Sequence, residues 1–431
     1  MMYQMKRKRL TDLHARGGAV LQLSMRKVHD LVAYCGLYEF EDVVADVTGA
    51  DRIELLDYEA VETARRAYKL GRRMTGSRRL ATALSPRLRA PRLTRDYELF
   101  FPVFNDPFEL FALAAVPEWR SRCRVAACFV CELWSHNLPE FLLELLSEFD
   151  HVFTGMQGPV AQVARVVGRP CTYLPLAADV LRFAPSPSPS PRVIDVCNIG
   201  RRSPVTHEAL LKLARQRRIF YYHDTVRASG YDKRQVTFRV GDVTEHRLLL
   251  ANVLQRSRYY VANRCRLNEP ETHEQEEISA RFYEGIAAGT VLLGEAPRSP
   301  EFRKQFDWAD AVVRLPFNSP DAGDVLARLD ADPVWQGAMG RENVRQAALR
   351  HDWLHRLQRV FEIAGIPATE AMGARASLLQ EIAKREPTAA VARQRRSPVT
   401  PGVRPSGRPR AHISRGTPPR PGRAARSWNA V

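Results

Sequence analysis

The residues best placed to do chemistry lie in Glu276–Glu295, EEISARFYEGIAAGTVLLGE. Ile278, Phe282 and Ile286 share one helical stripe, and Gly289 stops the pattern just before the apolar run Thr290–Leu293. That predicts a helix over Ile278–Ala288 feeding a strand. Glu276 and Glu284 are separated by seven residues, about 800° of helical rotation, so on one helix they would not share a stripe. They converge on a ligand only if Glu276 stands in the loop before the helix and Glu284 on its first turns. The N–H groups near Ser279–Arg281 then form an anion site, Arg281 adds positive charge, and Glu284 accepts hydrogen bonds from hydroxyls. Phosphate at a helix end with a diol on a carboxylate suits a nucleoside diphosphate. The competing reading is a surface helix with solvated glutamates, because a Glu pair at this spacing is common by chance.

A second cluster is Cys131–Asn137, CELWSHN, directly after the apolar run Val125–Val130. The C-terminal end of such a strand faces a cleft, where Glu132 or His136 would meet an acceptor hydroxyl as acid or base. A loop histidine is as often a capping or surface residue. Asp330-Ala-Asp332 has a spacing that can hold a divalent ion, but it follows a helical pattern over Asp321–Leu329 and precedes Pro333. Turn and capping duty is the better account, and no metal is expected. Cys128 and Cys131 form a C-x-x-C inside an apolar run, which reads as buried strand thiols rather than a zinc or redox pair. Seven scattered cysteines in 431 residues argue for reduced thiols and a cytoplasmic protein.

These residues need a scaffold. Short apolar runs at Val20–Leu23, Ile53–Leu56, Leu99–Phe104, Val125–Leu133, Val152–Thr154 and Thr172–Pro175 alternate with amphipathic stretches such as Pro107–Ala115 and Glu140–Phe149. The plan repeats after Ala184–Pro191, a stiff APSPSPSP spacer. Strands are predicted at Val193–Ile199, Ile219–Tyr222, Tyr259–Ala262, Val291–Leu293 and Ala311–Leu315, and helices at Thr206–Gln216, Glu245–Gln255, Ile278–Ala288 and Asp321–Leu329. Alternation of this kind implies parallel sheets covered on both faces. The expected architecture is α/β: two Rossmann-like doubly wound domains facing a cleft, residues 1–183 and 192–385, joined by the linker 184–191. From residue 386 the chain is rich in Pro, Arg, Ser and Gly and poor in large apolar residues, so a disordered tail is expected.

The net charge of +17 is concentrated. Val61–Arg95 holds ten Arg and one Lys against Glu62 alone, and Pro387–Val431 holds ten Arg and no acid. The Arg65–Arg95 segment lacks the interleaved aromatics of a base-stacking surface, so no specific nucleic-acid partner is expected. It fits an anionic membrane or a lipid-diphosphate acceptor, each charge contributing about 1 kcal/mol near such a surface. Lys6–Arg9 is basic, but Gly18–Leu23 is too short for a signal-peptide core. No run approaches the ~20 apolar residues of a membrane span.

A loop Glu, a helix running Glu-Gly-x-Ala-x-Gly and an apolar strand together resemble the E-x7-E region of GT-B glycosyltransferases, the glycosyltransferase group 1 (GT4-like) families. Three other segments are similar. Ile194–Arg202, IDVCNIGRR, resembles the first strand and Gly-Arg turn of their C-terminal domain. Tyr173–Phe183, YLPLAADVLRF, is similar to the segment entering the interdomain linker. His351-Asp352-Trp353 with Leu354–Phe361 resembles the closing helix of the CgeB-like branch. The resemblance covers residues 150–365, and it implies a hexosyltransferase-type enzyme using a nucleotide-sugar donor as substrate, with no cofactor. It implies Glu284 at the donor ribose, and Arg201 or Arg202 with the Ser279–Arg281 helix end at the diphosphate. The acceptor would be a glycan, a lipid-linked sugar or another hydroxyl on the first domain. His207 stands five residues after Arg202, where family members usually carry Lys. The rival reading is a non-catalytic GT-B-like binding protein whose basic tail engages nucleic acid or a protein partner.

Overall fold

The computed structural model describes residues 19–56, 58–86, 93–116, 118–225, 239–272 and 274–385, with the side chains of 58, 78, 79, 115 and 271 left outside. Lys6–Arg9 and the tail from residue 386 lie outside the described residues.

Two sheets form, and every strand pair in them is parallel. The first is built from β1 (Val20–Ser24), β2 (Asp51–Glu54), β3 (Tyr97–Phe100), β4 (Val103–Phe104), β5 (Cys123–Val130), β6 (His151–Thr154) and β7 (Cys171–Tyr173). Its order is β2-β1-β3-β5-β6-β7, with β4 also on β5. Between β1 and β2 runs α1 (Cys35–Thr48), ended by Gly49 at φ 63°, where a left-handed residue is needed. After β2 comes α2 (Tyr58–Thr75). The register sets Leu23 beside Ile53 and Leu99 beside Val125, so branched side chains pack in rows between the sheet and its helices.

The single run expected at Leu99–Phe104 is two strands, because Pro102 has no N–H to give the ladder while its carbonyl still accepts from Phe129. The expected helix at Pro107–Ala115 is a 3-10 helix, started by Asp106 accepting from the Phe108 N–H at 2.7 Å. Glu140–Phe149 is one α-turn, Glu140–Leu143, followed by 3-10 turns over Glu144–Glu148. Residues 184–193 contribute no strand or helix and separate the two sheets in the chain.

The second sheet comprises β8 (Ile194–Asn198), β9 (Tyr221–His223), β10 (Ser257–Val261), β11 (Val291–Gly294) and β12 (Val313–Arg314), in the order β12-β11-β10-β8-β9. Its helices include α3 (Pro204–Arg215), α4 (Val243–Gln255) and α5 (Ala280–Ala287). The described residues close with α6 (Pro333–Arg350), α7 (Trp353–Ala364) and α8 (Glu370–Ala383). The last two return to the first sheet's side: Trp353 stacks on Phe40 of α1 at 4.5 Å, and the Thr369 hydroxyl bonds the Val47 carbonyl. One continuous apolar cluster, from Val20 and Phe129 through Tyr260 and Leu292 to Ile382, therefore spans both sheets. Its burial is the main stabilising term.

Candidate functional site

In a parallel sheet a crevice opens where connections from adjacent strands leave in opposite directions, at the strands' C-terminal ends. In the second sheet that point lies between β8 and β10. A small pocket there is lined by Asn198, Arg202, Ser203, Thr206, Asn263 and Phe317. The loop is shaped locally. Gly200 turns the chain at φ 73°, and its N–H donates to the Asp224 carboxylate. Ser203 caps α3 by accepting from Val205 and Thr206 N–H groups at 3.1 and 3.2 Å. Arg201 pairs with Glu269. Arg202 donates to the Asp224 carbonyl at 2.7 Å and lies 3.7 Å from its carboxylate. His207 bonds the Tyr221 hydroxyl at 2.8 Å. Burial, then the charge of Arg202, lowers its pKa, so His207 supplies no cation near neutral pH.

The helix α5 begins at Ala280, leaving Glu276 in the preceding loop and Glu284 in the second turn. Ser279 does not cap it; its hydroxyl donates to the Asn263 carbonyl at 2.8 Å. The Arg281 guanidinium lies over Gly200, where an added Cβ would come within 2.3 Å of Nη2. The Gly-Arg turn, Arg281 and the start of α5 are thus brought together. Glu284 is buried and receives Arg247 Nη1 at 2.5 Å. Glu276 turns elsewhere. It accepts from the Arg298 N–H at 2.6 Å and Nη2 at 3.0 Å, with Arg264 3.8 Å away. Burial raises its pKa, but Arg298 outweighs that and holds it below the usual carboxylate range. The neighbouring Glu277 is buried and reaches the first body, accepting from Gln157 and Gly158 N–H groups at 3.1 and 3.0 Å.

The first body's residues gather at the matching edge. Glu132 pairs with Arg266 of the second body at 2.6 Å, and that guanidinium sits 4.7 Å from the Trp134 ring centre. His136 is exposed, its ring tilted beside Trp134. A different histidine has the geometry of a general base. His29, in the loop after β1, places Nδ1 2.6 Å from Glu109 Oε1. Glu109 is fixed by the N–H and side-chain amide of Asn105 at 2.6 and 2.8 Å. Burial pulls the His29 pKa down, but the hydrogen bond and charge of Glu109 raise it overall. Next to it Asp106 accepts from the Tyr34 hydroxyl at 3.1 Å and is pushed up to about 6 by burial and the charge of Glu109. Asp30, one residue on, accepts from the Val240 N–H of the second body at 2.8 Å, so this loop borders the seam between the sheets. The sequence reading missed His29, Glu109, Arg247 and Arg266; the one available signal was a His shortly after a strand.

Asp330 is held by Arg258 at 2.5 Å and the Tyr259 hydroxyl at 2.7 Å, while Asp332 caps α6 through the Trp335 N–H at 2.9 Å. Among the described residues no group of three or more His, Cys, Asp or Glu is arranged to hold a metal ion. Cys128 is buried within β5 and Cys131 follows it; burial raises both thiols well above their ordinary pKa.

Residues 201–362, within the second body, match the family model described as glycosyl transferase-like. The match does not single out the CgeB-like branch. No curated protein matches the chain. Among solved structures, the chain is similar to HepE of Anabaena in complex with UDP-glucose, at 12% identity over 80% of this chain and 99% of that one, TM-score 0.44. A glycosyltransferase of Rickettsia africae matches at 9% identity over 85% and 99%, TM-score 0.44. TarM matches at 10% identity over 62% and 54%, TM-score 0.39.

Proposed function

We propose that this chain transfers a sugar from a nucleotide donor held by the second body to a hydroxyl of an acceptor held by the first. The observation that carries the reading is the convergence of Gly200–Arg202, Arg281 and the uncapped start of α5 at the switch point, with Glu284 one turn further along. A helix end and guanidinium groups suit a diphosphate, and a buried carboxylate suits a ribose diol. Leaving-group charge is then stabilised by Arg281, Arg201 or Arg202 and the helix end without a metal ion. On the acceptor side His29, oriented by Glu109, takes the hydroxyl proton, a role we favour over His136 or Glu132. Closing the cleft excludes water. Calorimetry tests the donor site: Glu284→Ala should weaken nucleoside diphosphate binding by about 1–3 kcal/mol. Arg247 keeps Glu39 as a partner in this variant, so no buried cation is stranded. Unchanged affinity removes the assignment.

The acceptor, a glycan, lipid-linked sugar or other hydroxyl compound, meets the enzyme at a membrane surface in the reading the exterior favours. Leu70 and Met74 of α2, with Leu80 and Leu84 of the following helix Arg78–Leu84, are each more than half exposed, beside exposed Arg66 and Arg73. Apolar side chains among cations suit the interface of an anionic bilayer. Free thiols throughout suit a cytoplasmic protein touching the inner face.

A further inference from the structure

We infer that the first body completes the donor site of the second: Glu39 and Arg247 are positioning residues that set the direction and charge of Glu284. The inference rests on reading Glu284 as the ribose ligand.

Glu39 lies in the second turn of α1 with no exposed surface. Its carboxylate receives Arg247 Nε at 2.8 Å and Nη2 at 3.2 Å, the Asp179 N–H at 2.8 Å, Arg182 Nη1 at 3.3 Å and Trp353 Nε1 at 3.3 Å. Two donors on one edge of the Arg247 guanidinium, Nε and Nη2, are thereby committed to Glu39, and the Phe183 ring covers the guanidinium at 4.9 Å. The remaining Nη1 points at Glu284. Burial lowers the Arg247 pKa, but Glu39 and Glu284 together raise it, so the cation is permanent.

Arg247 gives Glu284 one N–H group while its Nε and Nη2 go to Glu39, which Arg182 also holds, so the Glu284 carboxylate keeps acceptor capacity for ribose hydroxyls. Neutralising Glu39 would release the fork to form a two-pronged pair with Glu284 alone, drawing off both its charge and the oxygen directed at the diol. A planar guanidinium can hold both carboxylates at once; an ammonium group cannot reproduce that geometry.

The test compares the four common ribonucleoside diphosphates with their 2′-deoxy forms, by calorimetry on the full chain. Wild type should prefer the ribo form of its nucleotide, and Glu284→Ala should abolish the preference. Glu39→Gln should cut it at least threefold while leaving affinity for the deoxy form within twofold, and Arg247→Lys should do the same. General loosening of the fold would lower both affinities together and leave the ratio intact. A ratio unchanged in Glu39→Gln, with Glu284→Ala still abolishing it, overturns the inference and leaves the ribose assignment standing. No ribo preference in wild type, or one indifferent to Glu284→Ala, overturns both. If Glu39→Gln does not fold, Arg247→Lys decides on the same criterion.

Discussion

Gly200→Ala separates phosphate binding from everything else at the donor site. Gly200 has φ 73°, and a Cβ built there falls 2.3 Å from Arg281 Nη2. Two costs follow, and they fall on different measurements. A left-handed backbone costs a non-glycine residue about 1–2 kcal/mol, which lowers folding stability by that much. The steric cost falls on the tip of a flexible side chain, so Arg281 retreats by roughly 1 Å to reach ordinary contact distance rather than the core giving way. A guanidinium displaced from a diphosphate forfeits one charge-assisted hydrogen bond, about 1.5–3 kcal/mol, which is roughly ten- to hundredfold in Kd. The expected result by calorimetry is a loss of that size for a nucleoside diphosphate and almost none for the nucleoside alone. Urea unfolding should show only the smaller backbone penalty. Equal losses for diphosphate and nucleoside would mean that the loop, not Arg281, was disturbed. No loss for either would refute the placement of phosphate at this turn.

Transfer should persist in excess EDTA, because Asp330 and Asp332 are already engaged by Arg258, Tyr259 and the start of α6; activity lost to EDTA and restored by a divalent ion would return that pair to the site. As the proposed base, His29 works only when neutral. Because Glu109 raises its pKa above 6.5, kcat/KM should rise with pH through a midpoint above that value. Glu109→Gln removes what raises it and should move the limb downward; a limb that stays in place excludes the pair as the titrating base. Leu70→Ser with Met74→Ser should reduce co-sedimentation with anionic liposomes, as should Arg66→Ser with Arg73→Ser or added salt, with donor affinity constant. Liposome binding insensitive to all of these counts against the membrane face.

The strands were legible because their signal is local: short β-branched runs bounded by turn residues. Several helices were not. Cys35–Thr48 carries Glu39, Glu41, Asp42 and Asp46, all buried, so its sequence lacks the polar stripe by which a helix is recognised. The acids are tolerated because cations arrive from distant positions, Arg26 and Arg52 at Asp42 and Arg182 and Arg247 at Glu39. Glu41 shows the strain of such burial: desolvation pushes it up to about 7 even beside Arg26 and Arg52. α5 starts two residues after the expected Ile278, and Ser279 spends its hydroxyl on Asn263 and not on the helix.

The same distinction divides the site. Glu284 and Arg281 could be read from spacing and the Gly-Arg turn from the family resemblance, whereas Arg247 and Glu39 meet only across the two bodies, and His29 and Glu109 only when distant segments of the first body pack together. His351-Asp352-Trp353 shows how a recognisable motif can act on architecture. The Asp352 carboxylate accepts from the Leu354 and Val180 N–H groups at 2.8 and 2.9 Å and from Arg375 at 2.7 and 2.8 Å. Arg375 in turn holds Asp179 at 2.7 Å. The Asp179 N–H and the Trp353 indole both end on Glu39. Removing one partner from a buried pair of this kind costs about 3–5 kcal/mol, because the other charge is left without compensation. The returning helices α7 and α8 therefore fix the acid that orients Arg247, and through it the proposed donor site inherits its geometry from residues of both bodies.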